Sequence, residues 1–260
     1  MVGCRVTMSM EMAGQVSVFP DWWERSPSIL MFLKKSIPTD RKGQQVPSTS
    51  VVRPAVYPDP VLLVGAGGHG RVVADAWMSM HPQGRLIVWD RHPVRAQGEL
   101  LAGVTLVDES IARGRGSAVH VSIGDNRARE REARAWSQLP FVSVVHPAAT
   151  VSALARLDAG CFVAAGAVVG PLTRVGEGTI INHGALVDHD TQLGCFCHIA
   201  PNATLGGAVQ LGDRVLVGAG ATILPGVVVA DDVVIGAATV VLSDLPEAGT
   251  YVGIPARRIR

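Results

Sequence analysis

Between Val145 and Val241 every sixth residue is aliphatic: 17 places, 17 Val, Leu or Ile, with no insertion. Four residues after each of the first 16 stands a second small residue, always Ala, Cys, Thr or Val, as at Ala167, Thr179, Ala203 and Ala221. A Gly often follows the aliphatic directly, as at Gly170, Gly194 and Gly218. An amphipathic helix would space its apolar residues by a mixture of three and four. A fixed period of six predicts short strands joined by tight turns, wound as a solenoid around one aliphatic column. Regularity of this kind specifies a fold; it does not specify a reaction.

The chain has 260 residues, enough for two modest domains. Its formal net charge is +1, with Lys and Arg spread along it, which gives no electrostatic footing for a nucleic-acid or membrane-surface partner. No apolar run approaches the roughly 20 residues of a membrane span. Of the four Cys, Cys161 and Cys197 both occupy the small place, 36 residues apart; in the 18-residue coil that the family resemblance below implies, that is two coils, about 9–10 Å, too far for a disulfide. Cys195 and Cys197 lack the partners of a zinc site, and no metal is expected. Reduced thiols indicate a cytoplasmic protein.

Four stretches follow from these patterns. Residues 1–59 read as a leader and linker, with Pro, Ser, Thr and charges dominant after Lys34 and no signal-peptide pattern. Residues 60–144 alternate strands and helices, which predicts a small parallel α/β domain. Val61–Val64, Leu86–Trp89, Ala118–Ile123 and Phe141–Val145 read as strands, and 71–80 and 127–138 as helices. Residues 145–243 are the solenoid, and 244–260 a C-terminal tail.

Chemistry-bearing residues gather at two places. After the first strand, Gly65-Ala66-Gly67-Gly68-His69-Gly70 opens a helix, and Asp90 ends the second strand 20 residues past Gly70. Glycines at a helix N-terminus let backbone N–H groups approach a phosphate. About 85 residues hold one nucleotide-binding half, not the two a dinucleotide needs, so a nicotinamide enzyme is disfavoured. The rival reading of the loop is a tight turn without ligand. His69 stands equally as a phosphate or sugar contact and as a turn residue.

In the solenoid, the filler breaks at Asn182 to Asp190. The inward places remain Ile181, Ala185, Val187 and Thr191, so the polar residues face outward or sit at corners. His189 is followed by Asp190, a carboxylate able to fix its tautomer and raise its basicity. His198 comes nine residues later, and Gly207 18 residues later; in the coil the resemblance named below implies, Gly207 stacks above His189, where a missing side chain leaves a slot. His183 reads as surface decoration.

The array VDHDTQLGCFCHIAPNATLGG, behind VGAGGHGR and ahead of VGIPARR, resembles the left-handed β-helix (hexapeptide-repeat) acyltransferases. Within them it resembles the bacterial nucleotide-sugar acetyltransferases, which include N-acetyltransferases of 4-amino sugars and O-acetyltransferases of sialic acid. The likeness spans about Val61 to Arg260. It implies three hexapeptides per left-handed coil, a departure from the right-handed crossover preference. It also implies a homotrimer with acetyl-CoA as co-substrate between neighbouring solenoids, and a role in bacterial glycan biosynthesis. In family terms His189 resembles the general base and Asp190 its support. His198 and Gly207 resemble acetyl-CoA contacts. Gly65, Gly67, Gly68, His69, Gly70 and Asp90 resemble the nucleotide-sugar site. Some relatives carry two acidic residues after the second strand, whereas Arg91 follows Asp90 here, which leaves the base open. The expected reaction is direct acetyl transfer to an amine or a hydroxyl by a His general base. The rivals are a solenoid carbonic anhydrase, disfavoured by the spacing of His183, His189 and His198, and a non-catalytic nucleotide-sugar-binding trimer.

Overall fold

The computed structural model describes residues 59–92 and 98–260. The expected leader lies outside the described residues apart from Asp59. Two layers of structure follow: an α/β domain and a left-handed β-helix packed against it.

The α/β sheet has the order β3-β4-β2-β1-β5, with β1 Val61–Val64, β2 Leu86–Trp89, β3 Glu99–Leu101, β4 Val104–Leu106 and β5 Ala118–Val121. β1 pairs in parallel with β2 on one side and β5 on the other, and β4 is parallel to β2. All four residues of β1 are buried, as a strand covered on both faces requires. Helix α1 spans Gly68–Met80, three residues more at its start than the sequence indicated, because the helix begins inside the glycine loop. Its inward face is Val73, Ala74, Ala76 and Trp77, with Val72 and Met80 only partly buried. The β3–β4 hairpin and helix α2, Glu109–Arg115, have no strong local pattern and escaped sequence reading. Helix α3 spans Asn126–Ala135, with Asp125 capping it by accepting from the Ala128 N–H at 2.7 Å. The expected strand Phe141–Val145 is divided. Phe141 bridges to Val119 of the α/β sheet, and Val144–Val145 pairs with Phe162–Val163 as the first solenoid strand. The chain changes sheets between them.

In the β-helix, strands of two residues pair in parallel with the strand 18 residues later. Val169, Val187, Leu205, Ile223 and Val241 form one such ladder. Three sheets form the sides, and the aliphatic column inside is dry: Val163, Ile181, Val187, Ile199, Leu205, Val217 and Ile235 are 0 % exposed. The small place is buried as well, and it follows its own rule. Thr173, Thr179 and Thr191 each donate a hydroxyl to the carbonyl 15 residues later, and Cys161 and Cys197 donate their thiols likewise. Polar atoms are tolerated there because each finds a carbonyl at the corner of the next coil. Burial pushes both thiols up to about 12, so they are inert.

The corners carry a second period. From Gly160 to Ala238 every sixth residue has φ between +54° and +75°; six are Gly and eight are not, Asp190 among them. A left-handed conformation costs a non-Gly residue roughly 1–2 kcal/mol. The corner N–H offsets it by bonding back to the preceding coil, as Asp190 N–H does to Pro171 O at 3.0 Å and Ala208 N–H to His189 O at 2.8 Å.

One side of the prism is covered by the α/β domain: Val144, Phe162, Ala164 and Ile180 project from it into the α/β core. The sheet on that side does not end with the repeat. Gly249–Val252, in the stretch expected as a tail, pairs in parallel with Val233–Ile235 and then antiparallel with Arg257–Arg258.

Candidate active site

The glycine loop forms at the carboxyl end of β1, where β2 and β5 part to either side and an open α/β sheet leaves a crevice. Gly65 turns the chain at φ +115°, and a Cβ on Gly70 would strike the Gly65 carbonyl, so the turn requires glycine at both. Gly67 is the extended N-cap of α1, and Gly68 has open space above it. Ser122, after β5, donates its hydroxyl to Gly65 O at 2.8 Å. Asp90, 9 % exposed, accepts the Ala66 N–H at 2.7 Å and the His92 N–H at 2.8 Å. Its carboxylate thus ties the end of β2 to the loop. Above these groups lies a cleft of about 340 Å³, lined by Gly65, Gly67, Gly68 and His69, by Trp89 to His92, and by Ala128, Arg131 and Glu132 of α3. A helix N-terminus with exposed glycine backbone in such a cleft suits a phosphate group.

His69 is half-buried at the rim, its ring 5.3 Å from Phe162 and 6.2 Å from His198. Desolvation, reinforced by the neighbouring His198, drives its pKa down to about 3. Its Nε2 is buried and has no hydrogen-bond partner among the described residues.

His189 sits at the opposite end of the molecule's logic, on a corner of the prism between Leu186–Val187 and Gln192–Leu193. Its Nδ1 is 2.8 Å from Asp190 Oδ2, and its backbone N–H donates to Asp188 Oδ1 at 2.7 Å. With Nδ1–H donating to the carboxylate, the lone pair of the neutral ring lies on Nε2. The bond to Asp190, aided by the charge of Asp188, raises the imidazole pKa above its usual value. The side chain is 56 % exposed. A Cβ on Gly207 would lie 2.6 Å from Cε1 and Nε2. The slot expected above His189 is therefore not open: the imidazole itself occupies it, and only glycine permits that.

His198 is elsewhere. It projects from the side of the prism that the α/β domain covers, with Nδ1 3.1 Å from Gly124 O and Nε2 3.2 Å from Asn182 Nδ2. Burial, with the Arg129 charge second, lowers its pKa to about 4, so it is a neutral ring with both nitrogens engaged. The corner bearing His189 is the one facing away from that side. The structure thus groups His198 with His69 and the glycine loop, not with His189, and sets exposed His183 near enough to His69 to help lower its pKa. Among the described residues no cluster of His, Cys, Asp or Glu could hold a metal ion.

Two residues of α3 were invisible to sequence reading. Arg129 is 1 % exposed and spends its whole guanidinium on the junction: Nε on Gly178 O, Nη1 on Ile123 O and Gly124 O, Nη2 on Asn126 Oδ1, Phe196 O and Cys197 O. Glu132, 7 % exposed, lines the cleft. Both stand in NRAREREARA, which reads as a solvated charged helix; the short Gly124-Asp125-Asn126 cap before it was the one hint that the helix starts at a site.

The PglD N-terminal domain family matches residues 60–135, and the bacterial transferase hexapeptide family (six repeats) matches 190–224 and 208–243. Among solved structures, GDP-perosamine N-acetyltransferase from Caulobacter crescentus, with CoA and GDP-perosamine, is 34 % identical with a TM-score of 0.71. The match covers 76 % of this chain and 96 % of that one. The acetyltransferase domain of PglB from Neisseria gonorrhoeae, with acetyl coenzyme A, is 30 % identical with a TM-score of 0.72, over 78 % and 100 % of the two chains. WeeI from Acinetobacter baumannii, at 17 % identity and a TM-score of 0.53 over 77 % and 99 %, shares the fold. No curated protein sequence matches significantly. The cleft, the prism and these likenesses agree: the chain belongs to the acetyl-CoA-dependent nucleotide-sugar acetyltransferases that join a PglD-type N-terminal domain to a hexapeptide-repeat β-helix.

Proposed function

We propose that this enzyme acetylates the amino group of a nucleotide-linked amino sugar, with His189 as general base and Asp190 as the group that orients it. The observation that carries this reading is the exposed His189–Asp190 pair, whose Nδ1 is held by the carboxylate and whose Nε2 is left as the basic atom. The amine nitrogen attacks the thioester carbonyl while Nε2 takes its proton. The tetrahedral intermediate then collapses, breaking the C–S bond, and the CoA thiolate recovers the proton from the imidazolium. No enzyme group is acylated. An N-acetyl product is favoured over an O-acetyl one because the similar Caulobacter enzyme is an N-acetyltransferase of GDP-perosamine.

The glycine loop, with Gly65, Gly67, Gly68, His69 and Gly70, cradles the diphosphate of the acceptor, and Asp90 braces that loop beside the ribose. Gly207 admits the imidazole next to the acetyl-CoA. His198, expected as an acetyl-CoA contact, is better placed to brace Gly124 and His69 behind the cleft. Because the cleft and His189 lie on different sides of one solenoid, joining donor and acceptor calls for a neighbouring copy, which supports a homotrimer. The three described cysteines are free, which fits the cytoplasm, where acetyl-CoA is made available.

Turnover of purified wild type and His189→Ala, compared with one acceptor at several pH values, tests the assignment. The variant is expected to lose about 10²–10⁴-fold in turnover while binding acetyl-CoA as before. A base works neutral, so wild-type activity rises with pH through a midpoint above the ordinary histidine value. In Asp190→Asn that midpoint falls back, because the bond that raised it is weakened. A His189→Ala enzyme retaining more than about a tenth of the turnover would remove His189 from the mechanism.

A further inference from the structure

We infer that Glu132, with Arg91 beside it, reads the base of the nucleotide and selects guanine. This rests on the assignment of the cleft as the sugar-nucleotide site. With the diphosphate at the N-terminus of α1 and the ribose at the end of β2, the base falls against the remaining wall, built by Arg91, Arg131 and Glu132. Glu132 is 7 % exposed. Its Oε1 takes an ion pair from Arg91 Nη2 at 2.5 Å, while Oε2 is buried and receives no hydrogen bond from the described residues. A buried carboxylate oxygen without a donor is rare and costly, and in a ligand cleft it marks the place of a donor brought by the ligand. Neighbouring donors on α3 do not answer it: Arg129 is fully spent on the junction, and Trp136 Nε1, one turn on, is itself unbonded. Arg91 is 67 % exposed, so this half of the pair can swing while the buried half stays.

A fixed carboxylate beside a movable guanidinium matches one common base. Guanine offers adjacent N1–H and 2-amino donors to the carboxylate, and O6 and N7 acceptors to the guanidinium. Uracil and thymine flank a single N–H with two carbonyls, which a carboxylate repels. Adenine and cytosine set their amino group beside a ring acceptor, with the same result. A site built to hydrogen-bond its ligand rejects analogues that leave its buried polar groups unpaired.

Calorimetric titration of the full chain with GDP, UDP, dTDP, ADP and xanthosine diphosphate tests this. Wild type is expected to bind GDP about 10- to 100-fold tighter than the other four, the discrimination of one good bidentate pair. Glu132→Gln, which keeps shape but turns one oxygen into a donor, is expected to lose that factor for GDP and to prefer xanthosine diphosphate, whose 2-carbonyl accepts from the amide. Loss of structure alone would not create a new preference. Arg91→Ala, at the exposed rim, is expected to bind GDP more weakly with folding unchanged. Equal wild-type affinity for UDP or ADP, or a uniform loss in Glu132→Gln, overturns the role of Glu132 and leaves the cleft assignment standing. If none of the five diphosphates binds, the cleft assignment falls and this inference with it.

Discussion

The β-helix and the α/β domain place polar groups by contrasting means. In the β-helix one environment recurs every six residues, so buried Thr and Cys side chains meet the carbonyl 15 residues on, and from Gly178 onward the corner N–H groups meet the previous coil. The exception is instructive: above Thr239 the regular coil gives way to the segment 249–256, and among the described residues its buried hydroxyl has no partner. In the α/β domain no two buried polar groups share a solution. Arg129 bonds five carbonyls and an amide, Asp90 two N–H groups, His120 the Val142 carbonyl at 2.9 Å, and Glu132 one arginine. Repetition makes a scaffold whose stability is spread along the column; singular contacts make a site. His189 shows how the two combine, since an ordinary corner of the scaffold carries an imidazole held by Asp190 beside it and given room by Gly207 above it.

The comparison breaks first, and hardest, at the column. Val217 is 0 % exposed at a stacked aliphatic place. Val217→Asp buries a carboxylate with no donor and is expected to cost several kcal/mol, enough to lose the folded protein at ordinary temperature. Circular dichroism of a variant that melts like wild type would show the column is not the dry stack it looks.

A smaller effect is expected at the junction. Arg129→Met removes six hydrogen bonds and leaves the carbonyls of Gly178 and Phe196 without that donor, while Cys197 O keeps the Ile180 N–H, but it also relieves a desolvated charge that burial has already pulled down to about 10. The balance is a destabilisation of about 2–4 kcal/mol, with nucleotide-sugar KM raised more than kcat is lowered. Arg129→Lys is expected to recover only part of it, since one ammonium cannot reach two coils and the cleft together. Undisturbed melting and KM in Arg129→Met would mean that the domains are held by apolar contact alone.

The mildest test separates the regions by acid. His69, His120 and His198 are held neutral by burial, at about 3, 4 and 4, below the ordinary value near 6.5. Unfolded chain binds more protons in that window, so the stability these histidines permit is present above pH ~6.5 and is lost as pH falls toward about 4. The solenoid column has no group titrating there. Hydrogen exchange at pH 7, 5.5 and 4.5 is therefore expected to show amides of the α/β domain and its junction opening before those of the inner coils. Simultaneous opening of both would sink the distinction.

The amino-acid order alone determined what depends on the period or on near neighbours. The column Val145 to Val241, the inward and outward places, the glycine turn before α1 and the His189–Asp190 pair follow from counting; the 18-residue stacking that sets Gly207 above His189 came from the family resemblance. An outward signal was also present and unread: on one side the residues before the aliphatics begin Val144, Phe162 and Ile180, an apolar run that marks the side covered by the α/β domain and on which His198 comes next. That run explains why His198 turned away from His189. Only the tertiary structure decided the rest. Arg129 meets Cys197 across 68 residues, His198 meets Gly124 across 74, and Asn126 meets Arg214 across 88. Those contacts join two elements with no common period, so nothing local fixes their register. A charged helix such as α3 looks solvated until the prism is laid against it, because its burial is decided by the packing of the domains and not by its own composition.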